Sequence, residues 1–315
     1  MSHSSPPTPA ASEAAATRQG VLCGLAAYLI WGFFPLYFKA VKHVPPLEVV
    51  SHRIVWSMLL LALLVTVTRR WREIGAAVRR PRIILTLCGT TFLIAANWLI
   101  FIFAIERGEV LQSSLGYFMT PLVNVFLGFA LLGERLRRWQ IVSLVLAASG
   151  VLVLSFRVGQ IPWIALVLAA SFGLYGLLRK TVAVDSLVGL AIETLVAAPV
   201  AFVFLCWLGW GGKGAFLAGS LHDNLILPLA GVVTAVPLLW FTAAARRLRL
   251  ATMGFLQYIT PSIQFILAVW AFGERFTPTH LIAFGCIWGG LALYSWSAIV
   301  TSRRATAEGN SPRNE

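Results

Sequence analysis

An all-α integral membrane protein of ten transmembrane helices, arranged as two inverted five-helix repeats, is the fold class this sequence predicts, and three observations predict it. The composition is that of a chain dissolved in lipid: 58% of the residues are hydrophobic, mean hydropathy is +0.81 and 12% are charged, about half the charged share of an ordinary soluble domain. The apolar residues fall in uninterrupted runs of about 20, the length a helix needs to cross a hydrocarbon core, whereas barrel strands alternate over about ten. Finally, YFMTPLVNVFLGFALLGER at 117–135 returns 140 residues later as QYITPSIQFILAVWAFGER at 257–275.

The spans are read approximately at 20–41, 46–68, 82–104, 109–132, 138–156, 160–178, 186–210, 224–245, 250–272 and 279–299. The first follows a single arginine, Arg18, and is too long for the apolar region of a cleaved secretory signal, so it is expected to be retained. The second carries HRIVWS near its start, the third Asn97 beside Trp98, the seventh Glu193 and the eighth Pro237. The fourth and ninth hold the repeated segment. Residues 1–17 and 301–315 are rich in Ser, Pro, Ala or charge and read as disordered tails, which leaves 18–157 and 158–300 as the two halves. The four cysteines all fall inside spans without metal-ligand spacing and carry no message about redox compartment.

A net charge of +13 suggests nucleic acid until its distribution is read. With the N-terminus in the cytoplasm, eighteen Lys and Arg fall in cytoplasmic segments, among them Arg69, Arg70, Arg135, Arg179, Lys180 and Arg249. Six fall on the other side and Arg53 lies within a span. This is the positive-inside asymmetry, with both termini cytoplasmic and no nucleic-acid partner.

The offset of 140 holds without gaps from Phe101/Phe241 to Gly150/Gly290. Charge changes sides between the copies: the loop after span four carries Arg135, Arg137 and Arg138, while its counterpart after span nine keeps Arg275 alone. Two inverted copies require such a swap, and inverted repeats mark secondary transporters with a site near the midplane. On a helix, Tyr117, Pro121, Asn124 and Gly128 share one stripe, and Gln257, Pro261, Gln264 and Ala268 share the equivalent one. Amides facing lipid are costly, so both stripes should face the protein interior or a wet cavity. Pro121, Pro237 and Pro261 are expected to bend their helices.

Several segments resemble the EamA-type transporters of the drug/metabolite transporter superfamily, most closely their RarD group: GVLCGLAAYLIWGFFPLYFK at 20–39, HRIVWS at 52–57, NWLIFIFA at 97–104, LGYFMTPLVNVFLGFALLGER and VPLLWFTAAARRLRLATMGFLQYITP at 236–261. The resemblance covers everything between the tails. It implies a ten-helix inner-membrane carrier of two inverted halves moving amino acids, metabolites or drugs, and it implies no particular solute.

The candidate substrate cavity comprises Trp31, Asn97, Tyr117, Asn124, Tyr175, Gln257, Tyr258 and Gln264, with Tyr28 joining Trp31 and Tyr175 in an aromatic wall. Asn97 reads equally as glue between helices. Arg53 lies about 10 Å below the outer surface and reads either as a snorkelling residue or as a gate or anion site. Its counterpart at the repeat offset, Glu193, is a candidate proton carrier or a structural acid; inversion separates the two in depth, so no salt bridge between them is assumed. His52 is a further gate or coupling candidate, against a plain hydrogen-bonded histidine. Trp71, Trp139, Trp163, Trp207 and Trp210 read as interfacial anchors. In each GER tripeptide the glycine, Gly133 or Gly273, should end a helix in a left-handed conformation, and Glu134 or Glu274 should favour the positive N-terminus of the helix that follows.

Motifs of other chemistries are missing. GWGGKGAF at 209–216 lacks the spacing and hydroxyl of a nucleotide-binding loop, and no HExxH, G-x-S-x-G or Cys–His metal set occurs, so neither cofactor nor metal is expected. The sequence therefore favours a carrier of a small solute, working by alternating access, over a membrane-embedded enzyme or a lipid-handling protein without flux. The lipid bilayer is its environment, and a homodimer stays open as a partner.

Overall fold

The computed structural model describes residues 9–107, 110–156, 162–217, 220–270 and 278–309, and every regular element among them is a helix. In chain order these are α1 (Pro9–Gly32), α2 (Phe34–Ala40), α3 (Pro46–Val67), α4 (Trp71–Val78), α5 (Pro81–Glu106), α6 (Val110–Leu132), α7 (Arg138–Phe156), α8 (Trp163–Thr181), α9 (Ser186–Trp210), α10 (Leu221–Arg247), α11 (Leu250–Gln257), α12 (Ile259–Trp270) and α13 (Pro278–Gly309). Helix thus reaches into both segments read from sequence as tails. Among the described residues nine stretches are long and apolar enough to cross a membrane, and the tenth predicted span appears as a shorter apolar stretch, Leu281–Ser297. The chain is a multi-pass membrane protein.

Most of these helices are apolar on every side, as a helix with one face on protein and another on lipid must be. Phe126, Phe129 and Leu131 of α6 and Val200, Phe202 and Val203 of α9 turn outward, where acyl chains replace water. The tryptophans read as anchors are all exposed near helix ends, Trp210 most of all at 96%. By contrast α4 is short and amphipathic: Ile74 and Ala77 are buried while Arg72 and Glu73 face out.

Prolines divide two predicted spans. Phe33 interrupts the first between α1 and α2, with Pro35 in the opening turn of α2. The ninth is not the single helix the sequence predicts; it breaks at Tyr258, three residues before Pro261, into α11 and α12. Proline explains both breaks, since it lacks the N–H that would bond four residues back and its ring crowds that carbonyl. By contrast α6 runs through Pro121, and α10 through Pro228 and Pro237, without interruption.

The packing follows a pattern. Helix α3 lies against α9 and α10, α5 against α8 and α9, α1 against α10 and α12, and α6 against α8 and α11, while α7 and α13 pair with each other. The last pair approaches through glycines. A Cβ on Gly150 would stand 2.5 Å from the Ala283 carbonyl oxygen, and one on Gly290 would stand 2.7 Å from that of Ser143. Both positions need glycine for the backbones to touch.

Candidate functional site

The site starts at the breaks. Without a proline N–H at position 35 the Trp31 carbonyl has no helical partner, and the Gln264 side-chain amide donates to it at 3.1 Å. Thr260 donates to the Tyr28 carbonyl at 2.9 Å. These two bonds tie α12 to the end of α1. Opposite them, Asn97 of α5 donates to the Leu168 carbonyl and to Ser171 Oγ, both at 2.9 Å, fixing α5 on α8.

Between these pairs lies a cavity of about 100 Å³ that gathers seven of the candidate site residues read from sequence: Trp31, Arg53, Asn97, Tyr117, Gln257, Pro261 and Gln264. It continues into a vestibule of about 570 Å³ that shares the Arg53, Tyr117 and Gln264 walls and ends at Lys39, Lys42 and Pro46. The cavity therefore opens on the face that carries the α2–α3 connection. Its rear is aromatic: Trp31 stands 5.8 Å from Phe172 and 5.6 Å from Phe241, centroid to centroid.

Toward the opposite face the helices are joined by side-chain contacts. Asn124 donates to Gln257 Oε1 at 2.9 Å, joining the two repeated stripes directly. Further along, Gly133 takes the left-handed conformation expected of it, with φ +63°. Glu134, however, serves a different helix from the one the sequence suggests: its carboxylate accepts from the Leu250 and Ala251 backbone N–H groups at 2.7 and 3.0 Å, capping α11 rather than α7. Arg249 strengthens the seam with its Nε 3.9 Å from Glu134, and Lys180 donates to the Leu248 carbonyl. Gly273 and Glu274 lie outside the described residues.

Other candidates stand elsewhere. Asn124 does not line the cavity; it is buried behind Gln257 against the glycines Gly173 and Gly176 of α8. Tyr175 and Tyr258 are buried and line neither the main cavity nor its vestibule; Tyr175 stacks on Phe241 at 6.0 Å and walls a small chamber behind them, and Tyr258 sits at the α11–α12 break. Tyr28 joins the same aromatic core behind Trp31. His52 also lies off the cavity: its Nδ1 accepts from Trp56 Nε1 at 3.2 Å, and its ring packs on Phe216. Pro261 lines the cavity, whereas Pro121 and Pro237 do not; a Cβ on Gly254 of α11 would meet the Pro121 carbonyl at 2.6 Å, so Pro121 marks a close helix crossing.

Glu193 and Arg53 border one small chamber of about 30 Å³ without being ion-paired to each other. Glu193 instead accepts from Thr90 Oγ1 at 2.6 Å and from the Tyr175 hydroxyl at 3.3 Å, and lies 3.7 Å from Arg179 Nε. Arg179, one of the basic residues assigned to the cytoplasmic segments, is fully buried. The signal for that was Gly189, since a side chain there would occupy the volume of the Arg179 guanidinium.

Comparison with known proteins agrees with this architecture. Residues 18–156 match the EamA-like transporter family. Protein RarD of Escherichia coli (strain K12) is 45% identical over 294 residues, covering 93% of this chain and 99% of that protein. An uncharacterized transporter of Vibrio cholerae is 47% identical over 278 residues, 88% of this chain and 92% of its own length. The chloramphenicol-sensitive protein RarD of Pseudomonas aeruginosa is 34% identical, covering 92% of this chain and 98% of that protein. A solved crystal structure of 18% identity superposes with a TM-score of 0.69 over 91% of this chain and 98% of the other, which establishes likeness of fold.

Proposed function

The chain belongs to the EamA-type transporters of the drug/metabolite transporter superfamily, as a member of the RarD group, and from that premise we propose that it is a secondary or facilitative carrier working by alternating access. Its two halves, 18–157 and 158–300, are inverted copies of five spans each. Both termini are cytoplasmic in the inner membrane, and the cavity faces outward in this conformation.

One observation carries the reading. At an offset of 140, Asn124 corresponds to Gln264 and Gln257 to Tyr117. The inner pair, Asn124 and Gln257, is bonded at 2.9 Å, whereas the equivalent outer pair, Gln264 and Tyr117, is not hydrogen-bonded and walls the open vestibule. Equivalent pairs in opposite states are what a carrier caught facing one side requires. Packing supports the inversion: the α1–α10 contact is matched by α5–α8, α3–α10 by α5–α9, and α6–α8 by α1–α12, each pair exchanging the halves. The glycine contacts repeat it, because Gly150 to Ala283 and Gly290 to Ser143 are the same contact under that exchange.

Exchange of a panel of amphipathic solutes across proteoliposomes tests the proposal. Protein-dependent flux that falls at least about tenfold in Gln257→Ala or Gln264→Ala supports it, a size set by losing an interaction of about 1.4 kcal/mol or more. Turnover of lipid substrates without solute flux would contradict it.

A further inference from the structure

We infer, resting on the carrier reading above, that the solute is a small organic anion: a carboxylate or similar oxyanion on an aromatic or apolar body, seated on the Arg53 guanidinium. Arg53 is 8% exposed and borders the cavity, its vestibule and the small chamber behind them. Its Nε donates to Thr234 Oγ1 at 2.9 Å, and its guanidinium carbon sits 4.6 Å from the Trp98 ring centroid and 5.7 Å from those of Phe34 and Phe38. Rings attract a cation through their quadrupole, yet they bring no negative charge to neutralise it.

No ion pair among the described residues includes Arg53. The carboxylate that shares the small chamber with it, Glu193, is engaged by Arg179, Thr90 and Tyr175. A buried charge without a partner is strongly unfavourable, so the site is completed by an anion arriving from outside. The walls agree: among the described residues neither cavity nor vestibule is lined by Asp or Glu, and Lys39 and Lys42 stand at the mouth, where their positive charge draws anions in.

Two further donors face the same space. Gln257 accepts from Asn124 through its Oε1, which leaves its amide N–H groups free to donate, and Tyr117 lines the cavity as well. A carboxylate accepts from the guanidinium fork in two places, while an ammonium group meets repulsion and no counter-charge. Trp31, Phe101, Leu168 and Phe172 supply the apolar walls for the rest of the molecule.

The test uses three probes of one shape on the full-length protein: 3-phenylpropionate, 3-phenylpropanol and 3-phenylpropylammonium. Binding is read by calorimetry in micelles and exchange by counterflow in proteoliposomes. The expected result is saturable binding of the carboxylate, at least about tenfold tighter than the alcohol, with the ammonium weakest. Arg53→Gln should abolish that preference and Arg53→Lys should keep part of it. The comparison within the wild-type protein decides the matter even where a variant fails to fold. Equal or tighter binding of the alcohol or the ammonium overturns the anion assignment, as does no saturable binding of the carboxylate. Flux separates the two ideas: a bound carboxylate that never exchanges across the bilayer preserves the anion site and contradicts the carrier, whereas exchange of the ammonium alone preserves the carrier and sinks the anion.

Discussion

Arg179 shows how much a single residue can hide. Its guanidinium donates to the Ser186 carbonyl at 3.1 Å and faces the Glu193 carboxylate from 3.7 Å, with both side chains out of reach of solvent. Breaking a buried pair by neutralising one partner leaves the other charge stranded, so Glu193→Gln is expected to cost roughly 3–5 kcal/mol, even though the amide can still bond Thr90 and Tyr175. Chemical denaturation in micelles measures this. The double change Arg179→Met with Glu193→Leu should recover most of the loss; a single mutant as stable as the wild type would mean the pair contributes nothing. Sequence disclosed half of this arrangement. An acid in the middle of an apolar span is conspicuous, but a basic doublet at a helix end, Arg179 followed by Lys180, looks like any other solvated cytoplasmic pair. Arg53 was legible for the same reason as Glu193, as a charge in the wrong solvent. What could not be read was the distance between them or the aromatic cage, since Phe34, Phe38 and Trp98 approach from two other helices.

Helix ends carry the next scale. Glu134 holds the N-terminus of α11 through two backbone N–H groups, and this joint ties the end of α6 to α11. Glu134→Ala removes the cap, a loss of about 0.5–2 kcal/mol, and should speed amide hydrogen exchange across 250–257 while leaving α13 unchanged. Unchanged exchange in α11 would show that other contacts hold the seam. The motif announced a cap but not which helix it caps, because the sequential neighbour and the spatial neighbour differ. At the α8–α9 corner, Asp185 accepts from Leu187 N at 2.9 Å and pairs with Arg70 at 2.6 Å. Partial burial pushes its carboxyl up, but the Leu187 N–H and the Arg70 guanidinium outweigh this and hold it below the usual carboxylate range. A depressed carboxyl contributes stability above its unfolded pKa of about 3.9 and loses it as pH falls through the lower folded value. Asp185→Asn should therefore melt lower than the wild type at neutral pH, the gap narrowing below about pH 4; a constant gap would exclude the charge as its source. Breaks were partly legible too. Pro261 and Pro35 predicted disturbance, yet only packing decides that α12 separates at Tyr258 while α6 continues through Pro121, whose carbonyl touches Gly254.

For the whole molecule, the all-helical, membrane-spanning character was written in composition and run length, and the 140-residue offset stands in the sequence itself. Those features are legible because the bilayer imposes one length and one chemistry on every crossing. Which residues meet in the middle was less so: Tyr117 of one stripe and Gln257 and Gln264 of the other reached the cavity, while Asn124 turned into the seam with Gln257 and Tyr258 into the core. A helical stripe fixes direction around an axis, not which neighbour stands there. The same difference between equivalent pairs makes the central claim measurable. Spin labels at Lys42 and Arg107 report the vestibule rim, and labels at Arg137 and Arg246 report the sealed face; both distances are read in proteoliposomes, with and without solute. Alternating access predicts two populations at each end that shift in opposite senses, the rim shortening as the sealed face lengthens. A single unvarying distance at both ends, or widening of both together, would contradict it.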